Sequence, residues 1–257
     1  MTTVRLMSKQ AVLVLALGMV AYGQQSSPAN DKSSETSEST QTTTTSQTEG
    51  PPLQPIPNYK GDLSTREAMT GDWGGLRTEL AEMGITFNID LTQIFQGNAR
   101  GGKDTNNGVA YSGSTDYEIK FDFQRMGLWP GAFLRVKGET QFGHSINSKV
   151  GSIMSPNSDA LFPVPDDSGI TTLTDVEFTQ FFSEHFGIQI GRIDFRGGDS
   201  NVFAHDERTQ FMNLGLVANP ILLSLAPYTA LMATAIFIPT DWLTTSFTVL
   251  DSNGQET

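Results

Sequence analysis

Asp116, Glu118, Lys120 and Asp122 occupy every second position of one short stretch, and Tyr117, Ile119, Phe121 and Phe123 fill the positions between them. In an extended chain successive side chains point to opposite faces, so this spacing puts charges on one face and bulky apolar groups on the other. Arg135, Lys137 and Glu139 repeat the pattern further on, Asp90 alternates with apolar residues before them, and Arg192, Asp194 and Arg196 again sit two apart. Carboxylates only accept hydrogen bonds, whereas guanidinium and ammonium groups only donate them. A wall carrying both signs therefore suits a neutral polyol, whose hydroxyls do both. The candidate wall comprises Asp90, Glu118, Lys120, Asp122, Arg135, Lys137, Glu139, Arg192, Asp194 and Arg196. The plainer alternative for each is an ordinary solvated strand residue.

Other chemistry has weaker support. The chain has no cysteine, which excludes a disulfide scaffold and a thiolate nucleophile or metal ligand. His144, His185 and His205 show no zinc spacing. Residues 103–108 have the look of a calcium loop but lack the distal bidentate glutamate, and read as a turn. Asp199, His205, Asp206 and Glu207 could gather round a divalent ion, although a polar loop is the simpler reading. Neither a Gly-x-Ser-x-Gly elbow nor a Walker loop is present. Carboxylate pairs are plentiful, but none stands out as the pair of a glycoside hydrolase. The expectation is no catalytic residue, no metal and no cofactor. A formal net charge of −12 leaves no electrostatic case for binding nucleic acid.

These side chains need strands to position them. Ile85, Phe87, Ile89 and Leu91 alternate with polar residues, and further strand candidates are 133–142, 173–182, 187–195, 232–238 and 243–250. Ile188 and Ile190 share the parity of Arg192, so a charged face there requires a bulge near Gly191. Connections alternate between tight turns, such as 127–131, and long loops at 97–113 and 143–169. One helix precedes the strands: Ser64 or Thr65 caps it, residues 72–75 break it, and Leu76 to Met83 resume it. Ile221 to Ile238 is apolar enough to suggest a membrane helix, but Pro220, Pro227 and Pro239 segment it. Arg5 and Lys9, the apolar run Ala11 to Val20 and the small residues Ala21 and Gly23 make an export leader cleaved before Gln24. The Ser/Thr/Gln-rich stretch that follows, ending in Pro51, Pro52, Pro55 and Pro57, has too little apolar surface to offset its ordering entropy.

Period-2 segments of about 10 residues with aromatic-rich apolar faces are the mark of a transmembrane β-barrel. Three blocks sharpen this. Met69-Thr70-Gly71-Asp72-Trp73-Gly74-Gly75-Leu76-Arg77, continuing to Gly84-Ile85-Thr86-Phe87, resembles the opening of the carbohydrate-selective (OprB) porin family. Gly191-Arg192-Ile193-Asp194-Phe195, Asn201-Val202-Phe203-Ala204-His205-Asp206 and Thr209-Gln210-Phe211-Met212-Asn213 resemble a second family block. Pro239-Thr240-Asp241-Trp242-Leu243, with Asp251-Ser252-Asn253-Gly254, resembles a third. The resemblance, over about residues 64–254, implies an outer-membrane barrel of on the order of sixteen strands. It also implies passive diffusion of carbohydrates, ions and similar small solutes through a water-filled lumen narrowed by an inward-folded extracellular loop. Outer-membrane lipid and permeant sugars are the implied partners, and a homotrimer is one assembly it allows.

The expected organisation is a signal peptide over 1–23, a disordered linker over 24–60 and a porin β-barrel domain over 61–257. The strand candidates make roughly half of such a barrel, so the fold class is an all-β, antiparallel transmembrane barrel, apparently incomplete, with a short N-terminal helix. Rival readings are a secreted, soluble β-sandwich that binds glycans and an exported glycoside hydrolase. Mass spectrometry of the exported protein should find Gln24 as its first residue; an N-terminus that retains Ala11 to Val20 overturns the leader.

Overall fold

The structure, a computed structural model, describes residues 16–21, 53–104, 108–163, 169–194, 206–217, 228–240 and 242–251. Its elements are β1 (Ala16–Ala21), a 3-10 turn at Trp73–Gly75, α1 (Leu76–Glu82), β2 (Ile85–Gly97), β3 (Val109–Asp122), β4 (Ala132–Gly143), α2 (Asn147–Val150), a 3-10 turn at Asp159–Leu161, β5 (Thr171–Ser183), β6 (Phe186–Asp194), α3 (Leu214–Val217), β7 (Thr229–Thr240) and β8 (Leu243–Leu250). The strands form one antiparallel sheet in the order β1-β8-β7-β6-β5-β4-β3-β2, so from β2 to β8 each strand pairs with its neighbours in sequence. The sheet is open, with β2 and β1 at its edges. β1 lies within the expected leader and runs antiparallel to β8, from Ala16 opposite Thr248 to Ala21 opposite Leu243.

Alternation dictates which side chains share a face. Ile85, Phe87, Ile89 and Leu91 stand opposite Phe121, Ile119, Tyr117 and Thr115, while Thr86, Asn88 and Asp90 stand opposite Lys120, Glu118 and Asp116. The exposure of the two faces is the reverse of that in a water-soluble sheet, where the apolar face is covered. Ile89 is 62% exposed, Phe95 74% and Leu231 65%, whereas Ser114, Asp122 and Glu139 are at 2% or less. Aromatic rings gather at both ends of the strands. Phe95, Tyr111 and Phe142 meet at the end with the long connections, with centroids 4.7 and 6.0 Å apart. At the opposite end Trp73 meets Phe87 at 5.4 Å, Phe123 meets Trp129 at 5.4 Å and Phe186 meets Phe237 at 5.0 Å.

Several sequence expectations change in detail. Residues 64–72 are not helical. Thr65 and Arg66 donate to the Asp62 carbonyl, but the next amide, Glu67, turns away to the carbonyl of Asn58, and this ends the helical ladder after one turn. Instead Asp72 organises the entry to α1: its Oδ1 accepts from the Thr78 amide and hydroxyl, both at 2.8 Å. Gly113 lies inside β3 rather than closing a loop. The segment 229–238, within the run weighed as a membrane helix, is extended and belongs to β7. Among the described residues no helix is long and apolar enough to cross a membrane.

The bulge expected at Gly191 is absent, since β6 pairs with β7 in unbroken register from Phe186 opposite Phe237 to Asp194 opposite Thr229. Gly191 takes φ +150°, and a Cβ there would sit 2.1 Å from the Val176 carbonyl oxygen. The nearby irregularity is in β5: Lys137 opposes Asp175 but Gly138 opposes Leu173, leaving Thr174 as the extra residue. The irregularity thus falls on β5, and β6 keeps its register through a glycine of positive φ.

Gly191→Ala should therefore destabilise the protein by on the order of 2 kcal/mol, read as a lower urea midpoint; an unchanged midpoint refutes the close approach. The Thr78 hydrogen bonds hold the Asp72 carboxyl below its ordinary range. A depressed folded value adds stability above the unfolded value, about 4, and loses it as pH falls through the folded one. Asp72→Asn should lower the thermal midpoint at pH 7, with a difference from the parent that shrinks as the solution is acidified below pH 4.

Candidate functional site

The polar face of β2 to β6 carries charges in rows across the strands. In the row nearest the tight turns, Lys120 stands opposite Arg135, and Arg135 opposite Glu177. The next row sets Glu118 opposite Lys137, and Lys137 opposite Asp175. In the third row Asp90 stands opposite Asp116, and Asp116 opposite Glu139. The first two rows neutralise each other. Lys120 Nζ lies 2.9 Å from Glu118, Lys137 Nζ 3.9 Å from the same carboxylate, and Arg135 pairs with Glu177. Glu177 also accepts from Gln189 at 2.6 Å and Thr179 at 3.2 Å. The third row is acidic throughout, and like charges directly opposite on a sheet repel.

The compensation for that row comes from outside the sheet. Arg208, in the connection after β6, places Nη2 2.7 Å from Asp116 and 3.8 Å from Glu139, and Nε 3.4 Å from Asp159. Burial works against its charge, but the carboxylates of Asp116, Glu139 and Asp159 outweigh burial and hold the guanidinium above its already high ordinary value. Asp159 itself arrives on the connection between β4 and β5. That connection folds back onto the polar face: Asn157, Ser158 and Asp159 are buried. Asn157 Nδ2 donates to Ser112 at 3.1 Å, and Ser114 donates to Asp159 at 2.9 Å. Gln141 donates to the carbonyls of Asp159 and Phe162. Asn147 and Asn157 clasp each other, the side-chain amide of Asn147 donating to the Asn157 carbonyl at 2.7 Å and its carbonyl oxygen accepting from the Asn157 amide at 3.0 Å. The two connections also meet directly, where the amide and hydroxyl of Ser158 donate to the Met212 carbonyl, both at 2.9 Å.

At the turn end the same face is closed by the segment before α1. Asp122 accepts from the Gln54 amide at 3.1 Å and the Arg125 amide at 3.1 Å, and Arg125 Nη2 donates to the Gln54 carbonyl at 3.0 Å. Arg77 is buried with its guanidinium over the rings of Tyr59, Phe87 and Trp73, at 4.6, 4.9 and 5.2 Å. The described end of the expected linker, 53–60, is thus tied to the sheet by named contacts.

The structure gathers Asp90, Glu118, Lys120, Asp122, Arg135, Lys137 and Glu139 on one face, as alternation predicts. The Asp194 amide donates to Asp175 of the second row at 2.8 Å, whereas Arg192 takes a different place. Arg192 stands opposite Val176 and Leu231, off the rungs of Glu177 and Gln189, and its guanidinium donates to Thr229 at 2.9 and 2.8 Å. The unbroken register through Gly191 is the reason. Arg196, Asp199 and His205 lie outside the described residues. Asp206 accepts from the Arg208 amide and the Thr209 hydroxyl and so shapes the turn that presents Arg208. Residues 98–104 form a turn in which Asn98 donates to the carbonyls of Gly101 and Asp104. The residues that sequence reasoning missed are Asp159 and Arg208, and the clasp at Asn157. They sit in connections without period, and only the folding-back of two loops reveals them.

A profile of the carbohydrate-selective porin, OprB family, matches residues 106–256. The chain belongs to the OprB family. The match takes in the second and third sequence blocks, and the block at 69–87 precedes it. Among solved structures, the high-pH structure of Pseudomonas putida OprB is similar with a TM-score of 0.62 at 22% identity, over 73% of this chain and 46% of that one. This OprB-family chain thus shares the fold over about half the length of that structure. No curated protein matches it.

Asp122→Ala should free the segment at Gln54 in this OprB-family chain. Limited proteolysis of the folded protein should then cut within residues 53–60 markedly faster than in the parent; equal rates would show that the Asp122 and Arg125 contacts do not hold the segment.

Proposed function

We propose that this chain forms one side of a water-filled passage across the outer membrane, through which carbohydrates and similar small solutes diffuse passively. The observation that carries the proposal is the inverted sheet, with a charged face partly covered by folded-back connections and an apolar face left bare. Bare apolar strands flanked by aromatic rings suit a hydrocarbon layer about 25 Å deep with interfaces at either side. β2 to β7, with 9 to 14 residues each, reach the roughly 9 to 11 that a tilted membrane strand needs, and β8, with 8, falls one short.

In this reading no residue performs catalysis. Lys120, Arg135, Lys137, Glu118 and Glu177 replace part of a solute's hydration, donating to and accepting from its hydroxyls, while the connections set the width. Delivery relies on the leader over 1–23. Its removal would take β1 away and leave the β8 edge to another strand, since an unpaired edge in lipid costs several kcal/mol per unsatisfied group. Homotrimeric assembly, as in classical porins, belongs to the same proposal. The soluble β-sandwich predicts the opposite burial, with Ile89, Phe95 and Leu231 covered by a second sheet.

The test is reconstitution of the outer-membrane protein into planar bilayers and into liposomes. Stepwise ion conductance, and swelling rates that fall as the sugar grows, support the passage. A protein that stays in solution without detergent and gives no conductance rejects it.

A further inference from the structure

Helical spacing divides α1 into three sectors. Arg77 and Ala81, one turn apart, are buried. Leu76, Leu80 and Met83 fall at i, i+4 and i+7 and share a face that borders the buried one. Thr78, Glu79 and Glu82 take the remaining, polar sector. The buried sector rests on β2: the Arg77 guanidinium lies 4.9 Å from the Phe87 ring, and Nη2 donates to the Phe87 carbonyl at 2.9 Å. Phe87 belongs to the apolar face of the sheet, in line with Ile85, Ile89 and Leu91. α1 therefore sits against the apolar side of the edge strand. Met83 and Gly84 alone separate it from β2, which fixes its depth at the turn-end rim. Trp73 extends the same surface. Its ring meets Phe87 at 5.4 Å and is still 51% exposed, while Leu76 and Met83 are each 49% exposed. Trp73 takes φ +52°, the one positive φ of a non-glycine among the described residues. A bulky side chain adopts that conformation only at a cost, and here it sets the indole beside Phe87. The cation of the helix is kept from this surface, because the rings of Tyr59, Phe87 and Trp73 cover Arg77.

We propose that Trp73 and α1 form an interfacial anchor, lying along the boundary between headgroups and acyl chains in the periplasmic leaflet, with Trp73, Leu76, Leu80 and Met83 toward the lipid. A short helix with one apolar face and one charged face lies in that plane rather than across it. Tryptophan suits the boundary because its ring is apolar and its N–H is polar. The leaflet follows from the short turns, which face the periplasm in outer-membrane barrels. The polar sector of α1 carries Glu79 and Glu82 and no cation. Apolar area, rather than attraction to anionic headgroups, therefore holds the helix, and neutral lipid is enough. The inference rests on the passage proposed above, which gives the apolar face of the sheet to hydrocarbon.

The chain has no cysteine, so a single introduced one can carry a nitroxide label without competition. Leu76→Cys, Met83→Cys, Glu79→Cys and Ile89→Cys are each labelled in the full-length protein and reconstituted into phosphatidylcholine vesicles. Collision of the label with oxygen, which concentrates in hydrocarbon, is compared with collision with a water-soluble nickel chelate. Relative to nickel, the labels at 76 and 83 should meet oxygen several-fold more than the label at 79. Equal ratios at these positions put α1 in water and overturn the anchor. Labels at 76 and 83 shielded from both reagents are covered by protein, a second copy included, and overturn it as well. If one of the two variants fails to fold, the other carries the same readout. Ile89 separates this inference from the reading it rests on. An oxygen-rich label at 89 with water-exposed labels at 76 and 83 rejects the anchor alone, whereas a label at 89 open to the nickel chelate rejects the membrane-spanning sheet and the anchor with it.

Discussion

Inside hydrocarbon a backbone amide or carbonyl has no water to turn to, and leaving it unpaired costs several kcal/mol. A chain that spans such a layer with strands must therefore hydrogen-bond each strand to a neighbour. The up-and-down order from β2 to β8 is the simplest route to that pairing, because each strand pairs with the one just made. The ladder then imposes a side-chain period of two, and the alternation of charge and aromatic residues along β3 follows from it. Gly84 shows how tightly the ladder binds its flanks. It leaves α1 with φ +92°, its carbonyl accepts from the Asp122 amide, and a Cβ there would lie 2.5 Å from the Asp122 carbonyl oxygen.

Magnitudes decide which polar contacts shape the site. The pairs Lys120–Glu118 and Lys137–Glu118 have side chains from 17% to 40% exposed, and partly solvated pairs of this kind contribute roughly 0 to 1 kcal/mol. They tune the chemistry of the wall more than they hold it. The buried contacts are of a different order, since removing one partner of a buried polar group costs about 1 to 3 kcal/mol. Asn157 at 0% exposure and Asp159 at 1% belong to this class. The position of the β4–β5 connection is accordingly set by amide and hydroxyl contacts to Ser112, Ser114 and Gln141. The ion pairs along the lower rows contribute less to holding the fold.

The two ends of the polar face are closed by different means. At the long-connection end, charge dominates: an acidic row recruits Arg208. At the turn end Asp122 grips the backbone at Gln54, while Arg77, held over Tyr59, Phe87 and Trp73, ties α1 to the edge strand β2. Contacts from distant connections thus hold one end, and contacts from the segment before α1 hold the other.

How much of this was legible in the sequence follows from the range of the forces involved. Strand identity and the faces of β2, β3 and β4 could be read directly, because alternation is local and every second residue repeats the signal. The boundaries of β8 and the seven wall residues from Asp90 to Glu139 came from the same period. Where periodicity broke, at Gly191, sequence alone predicted a bulge on β6. The structure put an extra residue at Thr174 on the neighbouring strand and a positive φ at Gly191 instead, and that choice depends on pairing across strands. The helix expected from Ser64 failed because Glu67 found Asn58 rather than the carbonyl four residues before it. Asp159 and Arg208 could not be found at all, since their partners are 45 and 92 residues away along the chain. The sequence by itself determined a charged face and an apolar face; tertiary structure alone decided which loops cover the charged one, because contacts between distant segments leave no period in the chain.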